Sequence, residues 1–193
     1  MDIILKDVYK AYKDKTVLKG CNLTFPEGKV TCLMGPSGCG KTTILRLIMG
    51  VEKADKGIIQ GIQHKKLSVV FQEDRLCMDF TAPANILMVA PKNVSKEEVI
   101  RHLEEIGLRD CFHKPVSELS GGMKRRVAIV RAVVSSGDLI LLDEPFKGLD
   151  KDTLNIAAGY VRKYTKKATV IIVTHSLEEA ELLKADKLIN IGI

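Results

Sequence analysis

Val30-Thr31-Cys32-Leu33-Met34-Gly35-Pro36-Ser37-Gly38-Cys39-Gly40-Lys41-Thr42-Thr43 joins an apolar, β-rich run to a glycine-rich turn that ends in Lys-Thr. The first five residues predict a strand. Past the turn, the spacing of Ile44, Leu45, Leu47 and Ile48 predicts a helix opening at Lys41, with Gly50 placed to stop it. Gly35 to Thr42 fits G-x-x-x-x-G-K-[ST] in the strand-turn-helix setting that gives this pattern its meaning. Glycines at Gly35, Gly38 and Gly40 let backbone N–H groups crowd around a phosphate at the helix N-terminus. Lys41 adds positive charge for β- and γ-phosphates, and the Thr42 hydroxyl can ligate Mg²⁺. A glycine-rich turn alone also serves close packing, but Lys-Thr at this spacing favours a phosphate loop.

Outward from this loop, strands and helices alternate. Upstream lie the short β-rich runs Ile3-Ile4-Leu5, Val17-Leu18 and Leu23-Thr24-Phe25; downstream, Leu67-Ser68-Val69-Val70-Phe71 reads as the next strand. From about 73 to 136 the pattern turns helical, with a capping box at Ser95-Lys96-Glu97-Glu98 and a stop at Gly107. Strand-like runs return at Leu139–Leu142, Thr169–Val173 and Lys187–Ile191, separated by a helical 152–166 and a second capping box at Ser176-Leu177-Glu178-Glu179. The expected fold is α/β, a mainly parallel sheet around the phosphate loop, with an antiparallel β subdomain near the N-terminus and an inserted helical subdomain at about 73–136.

Composition narrows the partners. At 193 residues one domain, 1–193, is expected, and 46% hydrophobic with 28% charged residues is a globular balance that excludes disorder. Thirty Lys and Arg against 24 Asp and Glu give a net charge of +6, suited to an anionic partner. Five cysteines without a CxxC pair indicate neither a disulfide framework nor a zinc site, so reduced thiols in the cytosol are expected. The N-terminus meets charge too early for a signal peptide, and no apolar run approaches the roughly 18 residues of a membrane span.

Two further motifs carry chemistry. Leu139-Ile140-Leu141-Leu142-Asp143-Glu144-Pro145 sets two acids at the end of a continuously apolar strand, where a parallel sheet opens its ligand crevice. Asp143 is placed to serve Mg²⁺, and Glu144 to act as base or to position water, although acids at strand ends also serve as helix caps. Leu119-Ser120-Gly121-Gly122-Met123-Lys124-Arg125-Arg126 offers a hydroxyl and exposed N–H groups at the start of a basic helix, a second place for a phosphate. One nucleotide seldom needs two such loops.

Here the chain resembles the ATP-binding cassette (ABC) ATPases, whose signature loop is offered to ATP held by a partner subunit. The other motifs match that family in order: Tyr12 resembles the aromatic that stacks on adenine, Gln72 the Q-loop glutamine, Gly148-Leu149-Asp150 the D-loop and His175 the switch histidine. Taken singly, a Tyr or a His is usually structural; the ordered set is specific. Val70 to Leu76, Met123 and Asp143-Glu144-Pro145-Phe146 look like ATPase subunits of nitrate/sulfonate/taurine-type importers.

The resemblance implies a head-to-tail homodimer. Gly35, Pro36, Ser37, Gly38, Cys39, Gly40, Lys41, Thr42, Thr43 and Tyr12 of one copy would hold ATP against Ser120, Gly121 and Gly122 of the other, with Asp150 of the D-loop also binding nucleotide. Thr42, Gln72 and Asp143 would hold Mg²⁺; Glu144, His175, Gln72 and Lys41 would carry hydrolysis. It further implies separate transmembrane permease subunits, an extracytoplasmic solute-binding protein, a cytoplasmic place on the inner face of the membrane, and no nucleic acid. Three features depart from the family: a short stretch from Lys41 to Gln72, Gly148 where Ala is commoner, and an end at Ile191-Gly192-Ile193 without C-terminal helices. A nucleotide kinase has no place for the signature or for His175. A cassette ATPase acting on nucleic acid or an assembly complex is the alternative, disfavoured because no coiled-coil insert, second cassette or aromatic platform is present.

Overall fold

The computed structural model describes residues 1–13 and 15–192; Ile193, part of the terminus noted above, lies outside the described residues. Its centre is a five-stranded parallel sheet in the order β5-β6-β7-β3-β8, built from β3 (Val30–Met34), β5 (Leu67–Val70), β6 (Leu139–Asp143), β7 (Thr169–Val173) and β8 (Lys187–Asn190). β6 and β7 are buried at every position, as their unbroken apolar sequences require of strands covered on both faces. Successive residues then divide between two cores. Ile140, Leu142, Val170 and Ile172 face the larger cluster with the helices, whereas Leu139, Leu141, Ile171 and Val173 face a smaller one.

The smaller core contains Ile44, Leu45, Leu47 and Ile48 of α1 (Lys41–Ile48) and Ile3, Leu5, Val8 and Phe25 of a second sheet. That sheet is antiparallel, in the order β2-β1-β4, from β1 (Ile3–Tyr12), β2 (Lys15–Phe25) and β4 (Lys56–Gln60). The three apolar runs near the N-terminus are parts of one long hairpin. Its register shifts between Leu5 and Val8, where Asp7 has a φ of 54°, a bulge that interrupts the two-residue alternation. β4 has no apolar signature, since only Ile59 is even half-buried; it is held by pairing to β1, with Gly57 packed so close that a Cβ would lie 2.3 Å from the Asp7 carbonyl oxygen.

Between β5 and β6 lie α2 (Ala82–Leu87), α3 (Lys96–Glu105), a 3₁₀ turn at Val116–Glu118 and α4 (Gly121–Val134). The helical reading from 73 is too long at its start, because 73–81 forms turns. Its backbone groups bond elsewhere: the Asn85 side chain takes the Cys77 N–H and carbonyl, and the carbonyls of Met78 and Phe80 accept from Ser117 and Val116 N–H. α5 (Lys151–Tyr164) and α6 (Leu177–Leu182) follow β6 and β7 and cover the sheet. Among the described residues no helix is long and apolar enough to cross a membrane.

Candidate active site

The carboxyl ends of β3, β6 and β7 are neighbours, with Asp143 paired to Val173 and Thr174 N–H donating to the Leu33 carbonyl. The three loops that leave these strands therefore open at one edge. The turn after β3 needs its glycines: a Cβ on Gly35 would sit 2.2 Å from the Ile191 carbonyl oxygen, and Gly40 at φ 102° would meet Leu18 at 2.8 Å. Gly40 caps α1 without any side chain, and the first turn carries no acid, so the leading N–H groups of α1 are open to an anion.

Lys41 is only 6% exposed and its Nζ donates to the carbonyls of Gly35 (2.7 Å) and Pro36 (2.8 Å), which holds the ammonium inside the loop. Cys39 Sγ lies 3.8 Å from the same nitrogen. Pro36, Ser37 and Gly38 are exposed on the rim, and Thr43 is buried beneath them. Thr42 Oγ1 donates to Asp143 Oδ2 at 2.9 Å, whereas the buried Asp143 Oδ1 has no partner. Burial pushes the Asp143 carboxyl up and the Glu144 charge adds to this, against the Thr42 hydrogen bond and the nearby arginines. An orphaned carboxylate oxygen beside a threonine hydroxyl is a pair of hard oxygen donors. Among the described residues no cluster of three or more His, Cys, Asp or Glu surrounds it. Such a site fits Mg²⁺, which keeps its waters and phosphate oxygens and takes only one or two protein ligands.

Glu144 follows at φ 48°, a left-handed backbone that costs a non-glycine residue about 1 kcal/mol or more. Its Oε1 is 2.8 Å from His175 Nε2, and its Oε2 accepts from Lys147 Nζ at 3.0 Å. Partial burial raises the Glu144 pKa, but the hydrogen bonds and charges of Lys147 and His175 outweigh it and hold the carboxyl below its usual range. A cleft of about 370 Å³ is lined by Ser37, Gly38, Gly40, Lys41, Thr42, Gln72, Glu144 and His175, with Lys15 and Val17 of β2 on its flank. Four motifs separated by up to 138 positions thus meet at one surface.

Tyr12, Ser120 and Asp150 are among the sequence candidates that lie outside that cleft lining. Tyr12 ends β1 with its hydroxyl on the Glu52 carboxylate and the Lys10 ammonium 5.4 Å from its ring centre. Ser120 caps α4 by accepting the Met123 N–H at 3.3 Å, with Ser120 and Gly121 exposed. Asp150 caps α5, accepting from Thr153 N–H and Oγ1; those bonds lower its pKa.

Other residues were not singled out from the sequence. Lys147 grips Glu144 from a position with no distinguishing pattern. Glu179 does not complete its capping box; instead it accepts from Thr174 Oγ1, and burial raises its pKa. Arg125, inside a basic run, is 4% exposed and faces the core with Ala128, Ile129 and Ala132. The i, i+3, i+4, i+7 spacing of those residues was the available signal.

The family profile described as ABC transporter matches residues 18–147. The chain is 36% identical over 200 residues to the aliphatic sulfonates import ATP-binding protein SsuB 1 of Pseudomonas syringae pv. syringae, covering 100% of this chain and 80% of that protein. It is 34% identical over 207 residues to the bicarbonate transport ATP-binding protein CmpD of Synechococcus elongatus, covering 97% and 74%. Among solved structures, the dimeric bacterial ABC transporter cassette MJ0796 superimposes with a TM-score of 0.86 at 29% identity, covering 98% of this chain and 94% of that one. The same cassette in a post-hydrolysis state bound to ADP and Pi gives 0.86 at 28% identity. With its glycine-rich loop, Glu144 and His175 converging on one cleft, the chain belongs to the ABC transporter family and is an ATP-binding, ATP-hydrolysing subunit of that kind.

Proposed function

We propose that this chain powers an importer, binding Mg-ATP between the phosphate loop of one copy and the signature loop of a second, and passing closure of that pair to separate membrane subunits. The hydrolytic reading rests on one observation above all: Glu144 and His175 are hydrogen-bonded at the edge of the cleft that Lys41, Thr42 and Gln72 line. Lys41 and the leading N–H groups of α1 meet the β- and γ-phosphates. Thr42, Asp143 and Gln72 would hold Mg²⁺, which neutralises charge on the phosphate oxygens when bound.

Water attacks the γ-phosphorus, the bond to the β-phosphate oxygen breaks, and ADP and phosphate form. Glu144, ionised at neutral pH, accepts a hydrogen bond from that water and aligns it. Its lowered pKa makes it a weak base, which suits a loose transition state that needs positioning more than early proton removal. His175 fixes the Glu144 carboxylate on one side and faces the γ-phosphate on the other. Tyr12 stacks on adenine, and Asp150 with Ser120, Gly121 and Gly122 serves the partner's ATP.

Import is supported by relatives named for sulfonate import and bicarbonate transport, and the pair by the dimeric cassette. The membrane subunits are permeases fed by an extracytoplasmic solute-binding protein, and the chain works at the cytoplasmic face. The test is phosphate release from Mg-ATP by the purified chain, beside Glu144→Gln. The variant keeps ATP binding and loses about 10²-fold in turnover, the weight of a positioned acid–base group. Turnover within about threefold of the parent would remove Glu144 from this role.

A further inference from the structure

Arg125 is the most heavily engaged side chain near the cleft, yet it lies behind it. It sits three residues past Gly122, on the buried face of α4 at the start of its second turn. Its Nε donates to the Pro145 carbonyl (3.0 Å). Its Nη2 donates to the carbonyls of Asp143 (2.7 Å) and Glu144 (2.5 Å), and its Nη1 to those of Phe71 (2.7 Å) and Gln72 (3.4 Å) and to Asp74 Oδ1 (2.9 Å).

One planar fork therefore holds two strand ends. On one side are three consecutive carbonyls around the left-handed turn at Glu144; on the other is the backbone of Gln72 as it leaves β5. Core packing does not account for the arrangement, because burying a cation is expensive and is offset here by one carboxylate and a ring of carbonyl dipoles. A leucine or methionine would fill the same space at lower cost. The fork uses donors pointing in different directions, which an ammonium cannot supply from one point. Six residues further along α4, Arg131 repeats the grip, donating to the carbonyls of Asp74 (2.9 Å) and Arg75 (2.7 Å).

We propose that Arg125 is a positioning residue for hydrolysis: it fixes the separation of Gln72 and Glu144 by holding both backbones, and so ties their alignment to the helix that carries Ser120, Gly121 and Gly122. This rests on the hydrolytic reading of the cleft. When α4 shifts, the guanidinium carries Gln72 and Glu144 together, and neither reaches its working position alone.

The test compares Arg125→Lys with the parent chain in four readings: kcat, KM, binding of a fluorescent ATP analogue, and amide hydrogen exchange over residues 71–75 and 143–147. Lysine keeps the charge and loses the fork. Misplacement by about an ångström lowers kcat by roughly 10- to 100-fold, with analogue affinity within about threefold and faster exchange in both segments. Because Arg125 also holds the Glu144 turn, Arg125→Lys still lowers kcat when Gln72→Ala is present, but by a smaller factor than in the parent, since residues acting through one another are non-additive.

A kcat per folded molecule within about twofold of the parent, or equal loss of kcat and analogue binding in the folded protein, overturns the proposal. Should Arg125→Lys not fold, Asp74→Ala removes one partner at the half-exposed end of the fork. Lowered kcat with binding kept then supports the proposal, and unchanged kcat overturns it. If the parent releases no phosphate, the hydrolytic reading fails by itself, and unchanged exchange in both segments still refutes the grip of Arg125.

Discussion

α1 and α4 both open on glycines, and their first turns are finished differently. At α1 no side chain caps the helix, Gly40 is buried, and the lysine that follows turns its ammonium into the loop. At α4 the Ser120 hydroxyl already takes the Met123 N–H, and the loop lies exposed, outside the lining of the cleft at α1. The first helix end is a finished half-site that needs only an anion. On the pairing proposed above, the second would offer a hydroxyl and two glycine N–H groups to a nucleotide held by another copy. Two unlike half-sites on one chain suit a head-to-tail pair, in which each nucleotide meets one of each.

Substitutions at the two ends sharpen the contrast. Lys41→Ala removes the charge buried in the first loop and weakens ATP binding by about 10²-fold or more, the scale of truncating one partner of a desolvated ion pair. Ser120→Arg leaves ATP binding to dilute, monomeric protein within about threefold of the parent, yet lowers hydrolysis by about 10²-fold, as expected for losing a transition-state donor. Equilibrium titration with a fluorescent analogue, paired with phosphate release, checks both. Equal loss of binding in the two variants would erase the distinction between the ends.

A smaller effect tests the cleft on the α1 side. The Lys147–Glu144 pair holds the Glu144 carboxyl down, so its contribution is present above the usual carboxylate range and is lost as pH falls through the lowered pKa. Lys147→Ala releases part of that hold, and the acid limb of the kcat profile moves to higher pH. At pH 7, where Glu144 stays ionised in both proteins, kcat changes by no more than about fivefold, the weight of an exposed ion pair. An unmoved acid limb would show that the limb belongs to another group.

The parts that were legible in the sequence share a physical reason. β6 and β7 lie in the middle of the sheet, covered on both faces, so Leu139–Leu142 and Thr169–Val173 carry apolar residues without interruption. The capping serines Ser95, Ser120 and Ser176 act on backbone three residues away, a purely local rule. β4 was silent because its neighbour across the sheet, β1, holds it through backbone bonds that carry no side-chain pattern. The turns at 73–81 were missed because their partners, Asn85 and Val116–Ser117, become neighbours only after folding. Lys147 and Arg125 belong to the same class: both act on Glu144 across a turn or a helix, and although helical spacing marks Arg125 as facing the core, the partners of both side chains are set by the folded geometry.

The claim that the two helix ends serve different nucleotides is met most directly by mixing two disabled chains. Lys41→Ala lacks a working α1 end and Ser120→Arg lacks a working α4 end; each alone hydrolyses little ATP. In a head-to-tail pair of one with the other, the two lesions fall on the same nucleotide site, and the second site is intact. Phosphate release from an equimolar mixture should recover to about a quarter of the parent rate, since random pairing makes half the dimers mixed and each holds one sound site. A mixture no more active than its components would mean that both ends act on one nucleotide within one chain, and the paired arrangement would be wrong.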